Sequence, residues 1–220
     1  MTEPIPPSRI ARELLDAMNA SSGHFLHESG HHGDLWLDPD ALFLDAGRAR
    51  AWGSMLARPA AACRPEVVCG PRTGGARLAE LMAAELGTGC AFAVRDAPEG
   101  RPVRYRLPES CREVVRDRRV LVVDDAVNAG SALRATLAGL RDAGASVAGF
   151  TTLLALGGAA REIAGREQAP LFALASLDRG LWAPGECPLC ASGTPLVDRL
   201  GAASPRPAAP PRPKEKDAHG

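Results

Sequence analysis

Apolar residues recur along this chain with two different periods, and the switches between them mark its elements. Ile10, Leu14, Leu15 and Met18 fall on one face of a helix over residues 9–20, with Ser8 placed to cap it. A second helical stretch covers 46–56, and Pro59 and Pro65 break the chain behind it. From there short apolar runs alternate with helical ones. Residues 66–69 read as a strand, 70–75 as a turn and 76–86 as a helix closed by Gly87. Residues 90–94 form the next strand. Residues 120–123 read as a buried strand and 124–131 as a turn, before Leu133, Leu137 and Leu140 mark a helix closed by Gly144. Further strands fall at 147–156 and 171–175. Strand–turn–helix at this spacing predicts an α/β fold, a parallel sheet flanked by helices, whose ligands bind at the carboxyl ends of the strands.

Three stretches depart from this rhythm. Residues 23–33, rich in His, Ser and Gly, read as a turn region, followed by a short strand at 35–37. Residues 96–119 are charged, carry Pro98, Gly100, Pro102 and Pro108, and show little periodicity, which predicts a long mobile loop. Residues 201–220 hold five prolines and few apolar side chains, the composition of a disordered tail. One domain over 1–200 remains.

The chain has 220 residues, 45% hydrophobic and 24% charged, with 26 basic and 26 acidic side chains. That balance argues against nucleic acid or an acidic membrane as partner. No apolar run approaches the ~20 residues that span a bilayer, and the first residues lack the basic and apolar blocks of a secretion signal. The expected setting is the cytoplasm, with the six cysteines reduced. The only lysines are Lys214 and Lys216, so the body carries its positive charge on arginine.

The most informative segment is Val120-Leu-Val-Val-Asp-Asp-Ala-Val-Asn-Ala-Gly-Ser-Ala-Leu133. An apolar strand delivers Asp124 and Asp125 to its end, and a Gly-containing turn leads into a helix. Neighbouring residues on a strand point to opposite faces, which argues against these two carboxylates forming one acid/base pair. Carboxylates can take sugar hydroxyls or a divalent cation, and free N–H groups at a helix start form an anion cradle. Together they describe a site for a ribose phosphate. The plainer alternative is that the aspartates only end the strand and cap the helix.

This segment resembles the phosphoribosyl-diphosphate signature of type I phosphoribosyltransferases. Val67-Val-Cys-Gly-Pro-Arg-Thr-Gly-Gly75 is similar to that family's pyrophosphate loop. Residues 21–38, especially Gly23-His-Phe25, Ser29-Gly30 and His32-Gly-Asp-Leu-Trp-Leu-Asp38, resemble the N-terminal hood of the orotate phosphoribosyltransferase branch. Leu181-Trp-Ala-Pro-Gly-Glu-Cys-Pro-Leu-Cys190 is similar to a C-terminal segment of that branch. The resemblance implies a small hood built from about 20–40 and 176–200. It implies Asp124 and Asp125 on the ribose hydroxyls, directly or through Mg2+. Ala126, Val127, Asn128, Ala129, Gly130, Ser131 and Ala132 would wrap the 5′-phosphate, and Arg72, Thr73, Gly74 and Gly75 would face pyrophosphate. Ser29, Gly30, Trp36, Leu37 and Arg179 would meet the base. It further implies a homodimer acting on phosphoribosyl diphosphate and orotate, with the loop at 96–119 closing over the site.

The family's loop lysines are absent. Arg95 and Arg101 are the cations placed to act on the leaving group, and arginine can grip pyrophosphate but cannot donate a proton near neutral pH. Glu28 stands beside Ser29-Gly30, where an acid would oppose an anionic ligand. These departures imply two further readings, a non-catalytic phosphoribosyl diphosphate or nucleotide-binding regulator, and a transferase for another base. Cys187 and Cys190 have metal-ligand spacing, but the remaining cysteines are scattered and zinc takes four ligands, so the pair reads as a structural turn. His24, His27, His31 and His32 read as a solvated polar turn.

Overall fold

A computed structural model describes residues 8–72, 74–96 and 104–199. Its larger sheet has six strands: β3 (Val67–Pro71), β4 (Gly89–Asp96), β5 (Arg104–Arg106), β6 (Arg119–Val127), β7 (Ser146–Leu156) and β8 (Leu171–Leu177). They lie in the order β5-β4-β3-β6-β7-β8, parallel except for the edge strand β5. A smaller sheet joins both ends of the chain. It orders β10 (Val197–Asp198), β1 (Ser21–Leu26), β2 (His32–Trp36) and β9 (Leu181–Trp182). This is the α/β architecture with a small hood that the sequence predicts.

Helices cover both faces of the larger sheet because its strands are apolar on both. Leu121 and Val123 of β6 pack on one side with Leu14 of α1 (Arg9–Ala17), Met18 just after it, Leu56 of α2 (Ala46–Ala60) and Leu78 and Met82 of α3 (Gly74–Leu86). Val120 and Val122 pack on the other side. Their partners are Val115 of α4 (Glu109–Val115), Leu137 and Leu140 of α5 (Ser131–Asp142) and Ile163 of α6 (Ala159–Arg166). Each such fully buried side chain contributes about 1.5–3 kcal/mol through burial alone. Ser8 caps α1 as expected, its hydroxyl accepting from the Ala11 N–H at 3.2 Å.

Four expectations need correction. Residues 23–33 are not one turn: β1 and β2 form an antiparallel hairpin with only 27–31 between them. Pairing within the hood overrides the Gly and Ser content. Helix α2 runs through Pro59 to Ala60, since burial of Leu56, Ala57 and Ala60 offsets the one backbone bond that proline removes. The ladder to β7 carries β6 past Asp124 and Asp125 to Val127, four residues beyond the expected end of the strand. Finally, the expected loop at 96–119 has regular structure over much of its length, and its early part, 97–103, lies outside the described residues. Tyr105, Leu107, Cys111 and Val115 are all buried, the last two four apart on one face of the helix over Glu109–Val115. The expected tail at 201–220 also lies outside the described residues. A short helix, α7 (Pro188–Ala191), completes the hood.

Candidate active site

Where β6 ends, a cavity of about 150 Å³ opens between the larger sheet and the hood. Asp124, Ala126 and Val127 line it from the strand, Asn128–Ala132 from the turn into α5, and His27, Glu28 and Ser29 from the hood. Gly130 makes the turn. It holds φ +74°, and a Cβ there would come 2.7 Å from Ile163 Cδ1, so a side chain would be strained twice over. Arg134, one turn into α5, donates to the Ala129 carbonyl at 2.6 Å and fixes the loop from behind.

Both aspartates are buried. The Asp124 carboxylate accepts the Asp125 N–H at 3.1 Å, and Asp125 Oδ1 accepts the Ala126 N–H at 2.6 Å. Asp125 Oδ2 is buried with no hydrogen-bond partner. It lies against the start of α3, where a Cβ on Gly74 would fall 1.7 Å away, so only glycine fits. A Cβ on Gly75 would lie 3.0 Å from Asp124 Oδ1, so both carboxylates reach the same helix start. Burial holds the Asp125 carboxyl up at about 6, and burial followed by the Asp125 charge pushes Asp124 well above the usual carboxylate range. Two crowded carboxylates with an orphaned oxygen are a donor set that suits a hard cation such as Mg2+.

Two further cavities adjoin the first. One, of about 280 Å³, is an apolar slot between Leu35, Trp36, Leu37 and Pro39 of the hood and Ala126 and Leu156 of the larger sheet. The other, of about 450 Å³, places Arg179 and Arg134 across from Ser29, Asn128 and Ser131. The structure thus brings Ser29, Trp36, Leu37 and Arg179 to the cavities around the turn at Asn128–Ala132. Gly30 lies outside the residues lining them, at φ +77° in the hairpin turn. Arg72 stacks its guanidinium on the Phe92 ring at 4.5 Å, beside the start of α3. Thr73 and Arg101 lie outside the described residues.

Arg95 forms an ion pair with Glu28, so the acid that would oppose an anionic ligand is balanced, and the end of β4 is tied to the hood. The histidines are not a solvated turn. His24 and His32 are buried and 3.1 Å apart, while His27 keeps a buried Nε2 without a partner and is pushed toward the neutral form, chiefly by burial and then by His31. The sequence reading missed three groups. Arg134 stands four residues after Gly130, which is one helical turn. Tyr105 is the only tyrosine; burial, then the charges of Glu28 and Asp124, raise its pKa. His27 lines both the cavity at the end of β6 and the apolar slot.

The Phosphoribosyl transferase domain pattern matches residues 50–168. An orotate phosphoribosyltransferase of Caldanaerobacter subterraneus is 30% identical over 185 residues, which is 84% of this chain and 91% of that protein. Among solved structures, the orotate phosphoribosyltransferase of Aeropyrum pernix superposes with a TM-score of 0.57 at 23% identity, covering 75% of this chain and 92% of its own. An adenine phosphoribosyltransferase from Thermoanaerobacter pseudethanolicus gives the same TM-score at 18% identity, over 76% of this chain and 99% of its own. Equal likeness to an orotate and an adenine enzyme shows the fold and does not by itself choose the base. On the domain pattern over residues 50–168 and the 30% identity across 84% of its length, the chain belongs to the phosphoribosyltransferase family, in its orotate phosphoribosyltransferase branch.

Proposed function

We propose that this protein is a magnesium-dependent orotate phosphoribosyltransferase, converting orotate and phosphoribosyl diphosphate to orotidine 5′-phosphate and pyrophosphate. The observation that carries this reading is the meeting of Asp124, the Asn128–Ala132 turn and the hood around one cavity. N–H groups of that turn bind the 5′-phosphate, and Asp124 and Asp125 hold the ribose hydroxyls. The apolar slot beside Trp36 takes the face of a planar base, and Arg179 and Arg134 supply cations for its carboxylate. Magnesium, when bound by Asp124 and Asp125, would neutralise charge on the departing pyrophosphate.

The reaction needs no protein nucleophile. The C1′–O bond to pyrophosphate breaks through an oxocarbenium-like state, and a base nitrogen adds from the opposite face. The chain's part is to hold both reactants in line, to exclude water beneath the hood, and to present Arg72, Arg95 and Arg101 to the leaving group. A homodimer fits this reading, with exposed Leu44 and Met55 around α2 offering it apolar surface, and so does a cytoplasmic setting. Among the described residues no helix is long and apolar enough to cross a membrane.

A second reading, a transferase for another base or a non-catalytic sensor of phosphoribosyl diphosphate, is favoured by one observation. Arg95, the cation next to the expected lysine position, is already paired with Glu28. The loss of orotate absorbance on adding phosphoribosyl diphosphate and Mg2+ decides between them. Turnover that disappears in Asp125→Asn establishes the orotate enzyme. Absence of turnover, with phosphoribosyl diphosphate still raising the Tm, selects the second reading.

A further inference from the structure

Cys187 and Cys190 do not form an isolated turn. Their thiols meet His24 of β1 and His32 of β2, and the four ligand atoms all lie within 4.8 Å of one another. His24 Nε2 is 3.4 Å from Cys187 Sγ, 3.7 Å from Cys190 Sγ and 3.1 Å from His32 Nδ1, and Cys190 Sγ is 3.2 Å from His32 Nδ1. Zinc bonds of about 2.0–2.1 Å to nitrogen and about 2.3 Å to sulfur in a tetrahedron set N–N edges near ~3.3 Å and N–S edges near ~3.6 Å. The observed spacings fall around those edges.

From this geometry we propose that His24, His32, Cys187 and Cys190 bind a structural zinc ion that clips the two ends of the chain into one hood. The His24 Nδ1 edge faces the Thr194 carbonyl at 2.8 Å, which places the proton there and leaves Nε2 free as a ligand. His24, His32 and Cys187 are buried, while Cys190 is open to solvent and gives a metal its way in. Two thiolates neutralise Zn2+, so the filled site buries no net charge. No carboxylate belongs to the cluster, which favours zinc over magnesium.

The location explains the need. The C-terminal part of the hood joins its N-terminal part through β9 and β10, each only two residues long. A metal linking positions 163 residues apart in sequence supplies the closure that those short ladders lack. It also holds β9, and with it Leu181 and the nearby Arg179, against the cavity they line.

The test is metal analysis of the purified full-length protein, grown with added zinc sulfate and washed free of loosely bound ions. About one zinc per chain is expected, falling several-fold in both Cys190→Ser and His32→Gln. Titrating the metal-free protein with cobalt chloride should give the visible bands of tetrahedral cobalt with thiolate charge transfer, and Cys190→Ser should weaken them. Wild-type protein that folds with no zinc and shows no cobalt–thiolate bands overturns the site, as do bands unchanged in Cys190→Ser. The wild-type spectrum decides even if a variant fails to fold. None of these readouts depends on turnover, so the failure of the orotate assignment and the failure of this site are separate results.

Discussion

In the larger sheet, β6 runs nine residues beside the eleven of β7, and their buried apolar side chains pack under helices on both faces. In the hood, β9 and β10 are two residues each, and the contacts that join chain start to chain end run through polar side chains: His24 on Thr194, Asp34 on Gly180 and the Cys/His cluster. The turn proposed to bind phosphate hangs from the first kind of structure, and the second kind supplies one wall of the slot proposed for the base. A long parallel ladder holds the end of β6 whatever occupies the site. The hood depends on a few directional contacts, and removing one partner of a buried polar pair costs more than the pair contributes. On the proposed function, chemistry that must be placed within fractions of an ångström is built on the sheet, whereas base recognition is built on the part easiest to alter.

The largest expected effect lies on the sheet side. Asp125→Asn should lower kcat/KM for phosphoribosyl diphosphate by about 10–10⁴-fold, the loss of one or two charge-assisted contacts of about 1.5–3 kcal/mol each. Circular dichroism should show the fold intact, because β6 is fixed by its ladder and not by this carboxylate. Unfolding of the variant would show that the aspartates serve to cap rather than to bind.

The same substitution carries a pH signature in magnesium-free buffer. The Asp125 carboxyl ordinarily titrates at 3.8 and is held at about 6 in the fold, mainly by burial. A folded state that binds the proton more tightly is favoured below the unfolded value and loses that advantage as pH rises through 4 to 6. Above pH 6 the buried charge costs on the order of 2–3 kcal/mol, at about 1.4 kcal/mol per pH unit. Asp125→Asn removes that cost. Its Tm should therefore exceed wild type at pH 7.5 and match it near pH 4. Equal Tm values at both would mean that the site is already relieved by water or neighbouring N–H groups.

Gly130→Ala should act at intermediate size. Left-handed backbone costs a non-glycine residue about 1–2 kcal/mol, and the new Cβ would meet Ile163 Cδ1 at 2.7 Å. A raised KM for phosphoribosyl diphosphate with KM for the base unchanged would place the damage in the phosphate turn alone. A matching rise in both would mean that turn and hood move together, and the contrast between them would fail.

The two regions also differ in how far the sequence discloses them. The larger sheet was legible because its signals are local and periodic: four apolar residues before Asp124, a glycine at the turn, and leucines at helical spacing after it. Strand length was misjudged there because the ladder to β7, which carries Asp124 and Asp125 as strand residues, is not a local property. The hood was legible only in outline. His24 and Cys187 touch although they are 163 positions apart, and neither spacing alone satisfies a four-ligand rule, so the pair of cysteines read as a turn and the histidines as solvent-facing. Tyr105 and Leu107 were lost for another reason: four breakers in 96–119 masked the buried positions Leu107, Cys111 and Val115.

The smallest effect tests the junction between the two regions. Glu28 of the hood pairs with Arg95 at the end of β4, both less than half exposed. An ion pair this open to solvent contributes about 0–1 kcal/mol, so Glu28→Gln should shift the Tm by no more than a few degrees. Its effect on ligands should be easier to see. With the carboxylate neutralised, Arg95 is released toward the pyrophosphate side and an opposing charge leaves the cavity lined by Ser29 and Asn128. Affinity for inorganic pyrophosphate should rise by about 2–10-fold and fall again with added salt, as expected for an exposed charge. Weakened affinity would mean that the pair holds the hood in its binding position, and that the hood's few polar contacts include one to the sheet.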